Sequence, residues 1–514
     1  MSGNETSGKV YLVGGGPGDP GLLTLRGREL LSRADVVVYD FLANEALLVH
    51  AREDAEIVFL GRRGGGETRA QAEINRLLVK HAREGKQVVR LKGGDPLVFG
   101  RGGEEALALA EAGIPFEIVP GVTSAFAVPL YAGIPVTHRD LASSVSVVTG
   151  HELPGKEESA VDWARVAPGK GTLVFLMGTT HLPEIAATLI ANGRAADTPS
   201  AVIRWGTRAA QQTVTAPLGE ISKAASDAGI RPPTVFVVGE VVGLRDGLQW
   251  FEKKPLFGRR VLVTRARAQA GALAERLADQ GAEVVPFPVI AFRDPDDPAP
   301  LTRALAEIDH YDGVIFTSAN AVERFFPRAL AAGVDARRLA GKIVAAIVAE
   351  TAAAVARNGV RADIVPERYV AEALADALAS HAPLRGKRFL LPRARVAREA
   401  LPKALADAGA RCDVVEVYRT VPPAGGGERL AALLREGGID VVTFTSSSTV
   451  RNFLALLPRG DAQDLLGASV VACIGPITAD TAREAGLKPA IVANTHTVAG
   501  LAEAILDHFQ KERR

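Results

Sequence analysis

Val88-Val-Arg-Leu-Lys-Gly-Gly-Asp-Pro-Leu-Val-Phe-Gly-Arg-Gly-Gly-Glu-Glu105 is the stretch on which the reading of this chain turns. The apolar run Val88 to Leu91 reads as a short strand, Lys92-Gly93-Gly94-Asp95-Pro96 as a turn, and Gly100-Arg101-Gly102-Gly103 as a second glycine cluster opening a helix. Glycine lets the backbone approach a ligand closely, and an aspartate accepts hydrogen bonds from a sugar or an amine. A turn of the same kind, Val13-Gly-Gly-Gly-Pro-Gly-Asp19, follows another predicted strand at Lys9 to Val13. Neither turn is a GxGxxG fingerprint with an acidic residue about twenty positions on, which disfavours a dinucleotide site. Gly14 to Asp19 also has no Gly-Lys-Ser/Thr, which argues against nucleoside triphosphate binding.

At about 150 residues per domain, a 514-residue chain holds roughly three or four compact units. The hydrophobic fraction of 47% supplies several cores. With 60 basic against 59 acidic residues, no global field favours nucleic acid or a membrane, so an anionic ligand must meet local arginines. The two cysteines, Cys412 and Cys473, lie in neither a disulfide framework nor a metal-ligand spacing, and no metal is expected. The opening residues MSGNETSGKV carry no apolar signal core, and no apolar run approaches ~18–20 residues. A soluble cytoplasmic protein is expected.

Short apolar runs alternate with helical patterns throughout, as at Lys9 to Val13, Asp35 to Tyr39, Gln87 to Leu91 and Thr172 to Met177. The pattern predicts an α/β fold of parallel sheets covered by helices. Tyr131-Ala-Gly-Ile-Pro-Val-Thr-His-Arg-Asp140 marks an inner boundary. A stronger boundary follows Val241, with a linker at 247–257. The second half repeats itself. Gly258-Arg-Arg-Val-Leu-Val-Thr-Arg265 matches Gly386-Lys-Arg-Phe-Leu-Leu-Pro-Arg393, and Asp312-Gly-Val-Ile-Phe-Thr-Ser-Ala-Asn320 matches Asp440-Val-Val-Thr-Phe-Thr-Ser-Ser-Ser448, both 128 residues apart. Ala345 to Thr351 matches Ala472 to Thr478 at 127. Repeats of domain size, in the same order, predict a two-lobed protein.

The two glycine turns resemble those of the uroporphyrinogen-III C-methyltransferases, tetrapyrrole methylases that use S-adenosylmethionine. The likeness runs from Val10 to Arg245 through Leu22-Leu-Thr-Leu-Arg26, Ala34 to Asp40, Gln71 to Asn75, Pro120-Gly-Val-Thr-Ser-Ala125, Gly133 to Arg139 and Val148-Thr-Gly-His151. It implies a pair of α/β subdomains over 8–246, with Pro17, Gly93, Gly94, Asp95, Val98, Thr123, Ser124, Met177 and Gly206 lining the donor pocket. Asp40, after the Val36 to Tyr39 strand, is the expected proton acceptor once a pyrrole carbon has taken the methyl. Relatives commonly carry Gly-Lys-Arg where this chain has Gly61-Arg62-Arg63. Arg62 stands at the catalytic position, but an arginine clamps a carboxylate and does not donate a proton as a lysine does. The tetrapyrrole is an octacarboxylate, and Arg62, Arg63, Arg90, Arg101 and Arg139 are its expected partners.

The duplicated half resembles uroporphyrinogen-III synthase over 258–510. Carrying segments are Val263-Thr-Arg265, Phe316 to Asn320, Leu391-Pro-Arg393, Val417-Tyr-Arg-Thr420, Phe444 to Ser448, Ile474-Gly-Pro-Ile-Thr-Ala479 and His496 to Leu501. The likeness implies flavodoxin-like lobes, one of about 258–288 plus 421–510 and the other of 291–416. Hydroxymethylbilane would lose water and cyclise with inversion of its last ring. Tyr418 would assist departure of the hydroxyl, and Arg265, Ser318, Ser446, Ser447, Gly475 and Thr478 would hold carboxylates. Val348-Ala349 stands where the second copy has Gly475-Pro476, so the first copy is expected to have lost a turn glycine and with it an anion site.

The whole reads as a bifunctional enzyme making uroporphyrinogen III and methylating it twice to precorrin-2, with S-adenosylmethionine as methyl donor. A homodimer through the methylase half is implied. The alternative is a methylase, acting on uroporphyrinogen III or a later corrinoid, whose C-terminal half binds tetrapyrrole without catalysis.

Overall fold

A computed structural model describes residues 8–52, 54–61, 70–150, 161–264, 267–366, 371–395, 399–421, 423, 426–435, 438–458 and 462–512. In the first sheet five strands lie in the spatial order Glu56–Phe59, Val36–Tyr39, Gln87–Lys92, Lys9–Gly14 and Phe116–Val119, all parallel. Helices cover both faces, so Val36-Val-Val-Tyr39 is buried along its whole length. On one face Ile74, Leu78, Ala106 and Leu109 pack against Val10, Leu12, Val38 and Val88. On the other, Leu30, Leu31 and Leu47 pack against Val13, Val37, Val89 and Leu91. Each Val, Leu or Ile among them contributes roughly 1.5–3 kcal/mol when fully buried.

The second sheet departs from the all-parallel expectation. Its order is Val145–Thr149, Thr172–Leu176, Thr234–Val238, Pro199–Arg204, Gln212–Pro217, with Thr234–Val238 antiparallel to both neighbours. Pro199–Arg204 and Gln212–Pro217 are also antiparallel. Residues 205–211 are too few for the crossover of a dozen or so that a parallel pair needs.

By contact the chain divides into two compact units, Met1–Phe287 with Ala431–Arg451 and Pro458–Arg514, and Pro288–Leu430 with Asn452–Leu457. The first unit also holds a parallel sheet ordered Glu283–Pro286, Arg260–Val263, Val441–Phe444, Val470–Cys473, Pro489–Val492. In chain order that is 2-1-3-4-5, the flavodoxin-like arrangement. The second unit carries Ile343–Ala346, Gly313–Phe316, Arg388–Ala394 and Arg411–Val421 as parallel neighbours in the order 2-1-3-4. Its last edge is filled by Ala291–Arg293, running antiparallel.

Asp312 and Asp440, matched in the repeat, do the same job in each sheet. Asp312 accepts from Arg388 N at 2.8 Å and Lys387 Nζ at 2.7 Å. Asp440 accepts from Arg260 N at 2.7 Å and from the Arg259 guanidinium at 3.1 Å. Among the described residues no helix is long and apolar enough to cross a membrane.

Candidate active site

Turns after four strands of the first sheet meet at its carboxyl edge: Gly14 to Asp19, Asp40, Gly93 to Asp95 and Gly121 to Ser124. Ligands of open parallel sheets bind at this edge. Gly14, Gly94 and Gly121 pack backbone on backbone, and a Cβ on Gly121 would overlap the Gly94 carbonyl. Gly94 N donates to Gly16 O at 2.7 Å and Gly16 N to Gly94 O at 3.2 Å. Asp95 accepts from Leu97 N at 2.8 Å and, through its other oxygen, from Gly121 N at 3.0 Å, so it ties two turns together. Thr123 caps the helix Ser124–Tyr131, accepting from Ala125 N at 3.3 Å. Pro17 is half-buried, and Val98 packs on the apolar core of the second sheet.

From the second sheet, Gly206 sits against Val128 of that helix so closely that a Cβ would overlap its side chain. Thr207 Oγ1 accepts from Asp19 N at 3.0 Å. These contacts draw Pro17 to Asp19, Gly93 to Asp95, Thr123, Ser124 and Gly206 into one region. Met177 follows the strand Thr172–Leu176, whose end and that of Pro199–Arg204 flank the start of Thr234–Val238. Met177 is 48% exposed with φ 59°, so it is not core filling. Phe99, Arg101, Trp205 and Thr207 share its left-handed backbone, at φ 51°, 58°, 47° and 69°. Non-glycine residues held this way cost about 1–3 kcal/mol each and cluster at functional sites.

Beneath Asp40 lies a buried set of charges. Arg90, only 3% exposed, donates to Asp40 Oδ2 at 2.8 Å, to Glu105 Oε1 at 3.3 Å and to Leu91 O at 3.0 Å. Lys92 donates to Glu105 Oε1 at 2.9 Å, and Gln71 reaches the same oxygen at 3.3 Å. Burial pushes the Lys92 ammonium below the ordinary lysine range, and the Arg90 charge adds to it. Glu105 Oε2 is buried with no partner among the described residues. Buried ion networks are weak contributors to stability compared with apolar packing, so this one argues for a role in orienting Asp40. It also corrects the expectation for Arg90, which faces inward and is not available to substrate carboxylates.

Arg101 is exposed and paired with Glu104 at 2.7 Å. Arg139 is exposed in the loop after Ile134. Arg62, Arg63 and Arg265 lie outside the described residues.

In the second unit, Ser318 caps the helix Ala319–Ala331, and its hydroxyl lies 3.3 Å from the Tyr418 hydroxyl. Tyr418 is 7% exposed, its ring edge-on to Phe292. In the duplicated lobe of the first unit, Ser446 accepts from Thr449 N at 3.2 Å and lies 2.9 Å from the Ser448 hydroxyl. Ser447 accepts from Thr481 Oγ1 at 2.7 Å. Gly475 caps the helix Pro476–Glu484, and Thr478 is buried in its first turn.

The expectation of a lost turn glycine at Val348 needs correcting. Gly475 has φ −177° and Val348 φ −140°, both extended backbone open to any residue. What sets Gly475 apart is the exposed His496 ring beside it, which a Cβ there would approach to 2.9 Å. The first copy differs in what packs on the turn, not in the turn. Its Thr351 is fully buried, with Oγ1 unpartnered among the described residues.

Several polar residues at the first site escape a reading of motifs. Glu105 and Lys92 sit inside quoted motifs, but their inward direction shows only once the helix Gly102–Glu111 is laid on the sheet. Tyr131, whose hydroxyl donates to Asp19 Oδ2 at 2.7 Å, is held above the ordinary tyrosine range by burial and by that carboxylate.

The chain matches the family described as tetrapyrrole (corrin/porphyrin) methylases over residues 9–222, and uroporphyrinogen-III synthase HemD over residues 271–503. It is 38% identical to the porphyrin biosynthesis protein HemD of Ruminiclostridium josui, over 97% of this chain and 98% of that one. It is 54% identical to the S-adenosyl-L-methionine-dependent uroporphyrinogen III methyltransferase of Methanosarcina barkeri, over 48% of this chain and 96% of the relative. To the uroporphyrinogen-III C-methyltransferase of Bacillus subtilis it is 44% identical, over 66% of this chain and 70% of that protein.

Proposed function

Because the chain belongs to the tetrapyrrole methylases, fused here to a uroporphyrinogen-III synthase, we propose that it converts hydroxymethylbilane through uroporphyrinogen III to precorrin-2. Residues 8–246 form the methylase, 247–257 the connector and 258–510 the synthase. The observation that carries the methylation in this reading is the meeting of three glycine turns beside Asp40. Glycine lets these turns close on one another, and at Gly94, where a Cβ would meet only Ser124 N at 3.8 Å, the bare backbone leaves open space that fits S-adenosylmethionine, the source of the methyl group when bound.

Pro17, Gly93 to Asp95, Val98, Thr123, Ser124, Met177 and Gly206 line that pocket. A pyrrole carbon forms its bond to the methyl carbon as the sulfur–methyl bond breaks, and the chain's task is to hold the two in line. Asp40, oriented by Arg90, takes the proton that the methylated ring releases. Arg62, Arg63, Arg101 and Arg139 are assigned to substrate carboxylates.

In the synthase, the substrate's own pyrrole nitrogen expels the hydroxyl, so folding the bilane correctly is most of the work. Tyr418 protonates the departing hydroxyl, its own hydroxyl oriented by Ser318. Arg265, Ser318, Ser446, Ser447, Gly475 and Thr478 are assigned to carboxylates.

The test is anaerobic incubation of the purified chain with hydroxymethylbilane, with and without S-adenosylmethionine, separating products by isomer and mass. Type III uroporphyrinogen without donor and a dimethylated product with it are expected. Type I isomer alone without donor overturns the synthase assignment and leaves a binding lobe. A singly methylated end product overturns precorrin-2.

A further inference from the structure

The connector does not run free of the methylase. Phe251 is 5% exposed, and the Tyr131 ring packs edge-on against Trp250 at 5.0 Å and Phe251 at 4.8 Å. Leu256 is fully buried in the core that includes Val261 and Leu273, and its N–H donates to Gln280 O at 2.9 Å. Glu252, between them, accepts from Gln211 Nε2 and Thr213 Oγ1, both at 2.7 Å, and from the Arg245 guanidinium at 2.5 Å.

Gln211 is the link back to the pocket. It is 5% exposed, and its Nε2 also donates to Tyr131 O at 3.3 Å. Its Oε1 accepts from Thr207 N at 2.9 Å. Thr207 Oγ1 in turn accepts from Asp19 N, and Asp19 Oδ2 accepts from Tyr131 OH. The ring of contacts closes on the helix it started from.

A carboxylate and a backbone carbonyl are acceptors only, so both demand the amide's NH2 end. That leaves Oε1 no choice but to face Thr207 N–H. We propose that Glu252 is a positioning residue for the methyl-donor site: it sets the orientation of the Gln211 amide, which holds Thr207 in its left-handed backbone beside Gly206 and the Pro17 to Asp19 turn. The inference rests on the donor-site assignment above. A glutamine at 252 has one oxygen, which the donor-only Arg245 guanidinium claims, so its NH2 is set against the Gln211 NH2. That clash is relieved only when the Gln211 amide turns or withdraws, at the cost of its bonds to Tyr131 O and Thr207 N.

The experiment uses the full chain and S-adenosylhomocysteine as probe, with Glu252→Gln, Gln211→Met and the double variant. Calorimetry is expected to show about a tenfold weaker Kd for E252Q. KM for S-adenosylmethionine should rise in step, while kcat, KM for the tetrapyrrole and cyclisation of hydroxymethylbilane by the same chain hold within about twofold. Gln211→Met should weaken the probe as much, and the double variant no more than either. A simple loss of folding would lower every readout together. Unchanged probe affinity in both single variants overturns the inference while leaving the donor site standing. Failure of the unmodified chain to bind the probe removes the donor-site assignment, and the inference with it.

Discussion

The sites proposed for the two halves of this chain draw on different materials. Every described non-glycine residue with positive φ falls between Phe99 and Thr207, and none lies in 258–512. In the synthase lobes the assigned groups include hydroxyls on ordinary helix caps, Ser318 and Ser446. The contrast follows the chemistry. Displacement at one carbon needs donor, acceptor and base held at near-contact distance, and a backbone under strain is one way to fix them. A bilane that expels its own hydroxyl needs mainly to be folded, which caps and loops can do without strained backbone.

The sharpest way to break this contrast is Asp40→Asn. Methyl transfer should fall about 10²–10⁴-fold, the usual share of a positioned base, with cyclisation untouched. Tyr418→Phe should cost cyclisation about tenfold, less than that share, because the substrate supplies part of its own activation. A loss as large as that of Asp40→Asn would erase the distinction between the halves.

Strain itself is open to measurement. Met177→Gly should raise stability by about 1 kcal/mol in denaturant titration by relieving its left-handed backbone, while weakening donor binding. Val348→Gly, in extended backbone, should lower stability by at least roughly 0.5–1 kcal/mol. Equal signs would show that the positive φ at Met177 carries no strain.

The smallest effect concerns Asp312, whose carboxyl is held below the ordinary carboxylate range by Lys387 and by the Arg388 N–H. A lowered native pKa gives stability that is present above the ordinary aspartate value of about 3.9 and is lost as pH falls through the native one. Lys387→Met should therefore shrink the loss of stability below about pH 4. Unfolding midpoints at pH 3 and pH 6 measure it, and an unchanged difference between them would remove the Lys387 contribution.

Sequence made the frame legible where pattern and local chemistry agree. The glycine turns read as following strands and lie at the carboxyl edge of the first sheet, and the 128-residue offset showed duplicated lobes whose sheets share the 2-1-3-4 core. What stayed hidden depends on direction and tertiary contact. Arg90 and Lys92 alternate along a strand as surface charges do, yet their face is covered by the helix Gly102–Glu111. The antiparallel strands of the second sheet look like any short apolar run. Segment 249–257 has linker composition, and only its contacts reveal Glu252 and Leu256 as packed residues. Gly475 reads as a turn glycine because nothing local points to His496, twenty-one residues later.

The most direct test of two separable sites is the product of the Asp40→Asn chain given hydroxymethylbilane and S-adenosylmethionine without air. The account predicts unmethylated uroporphyrinogen of the type III isomer, formed at the rate of the unmodified chain. Type I isomer, or a dimethylated product at the ordinary rate, would contradict it.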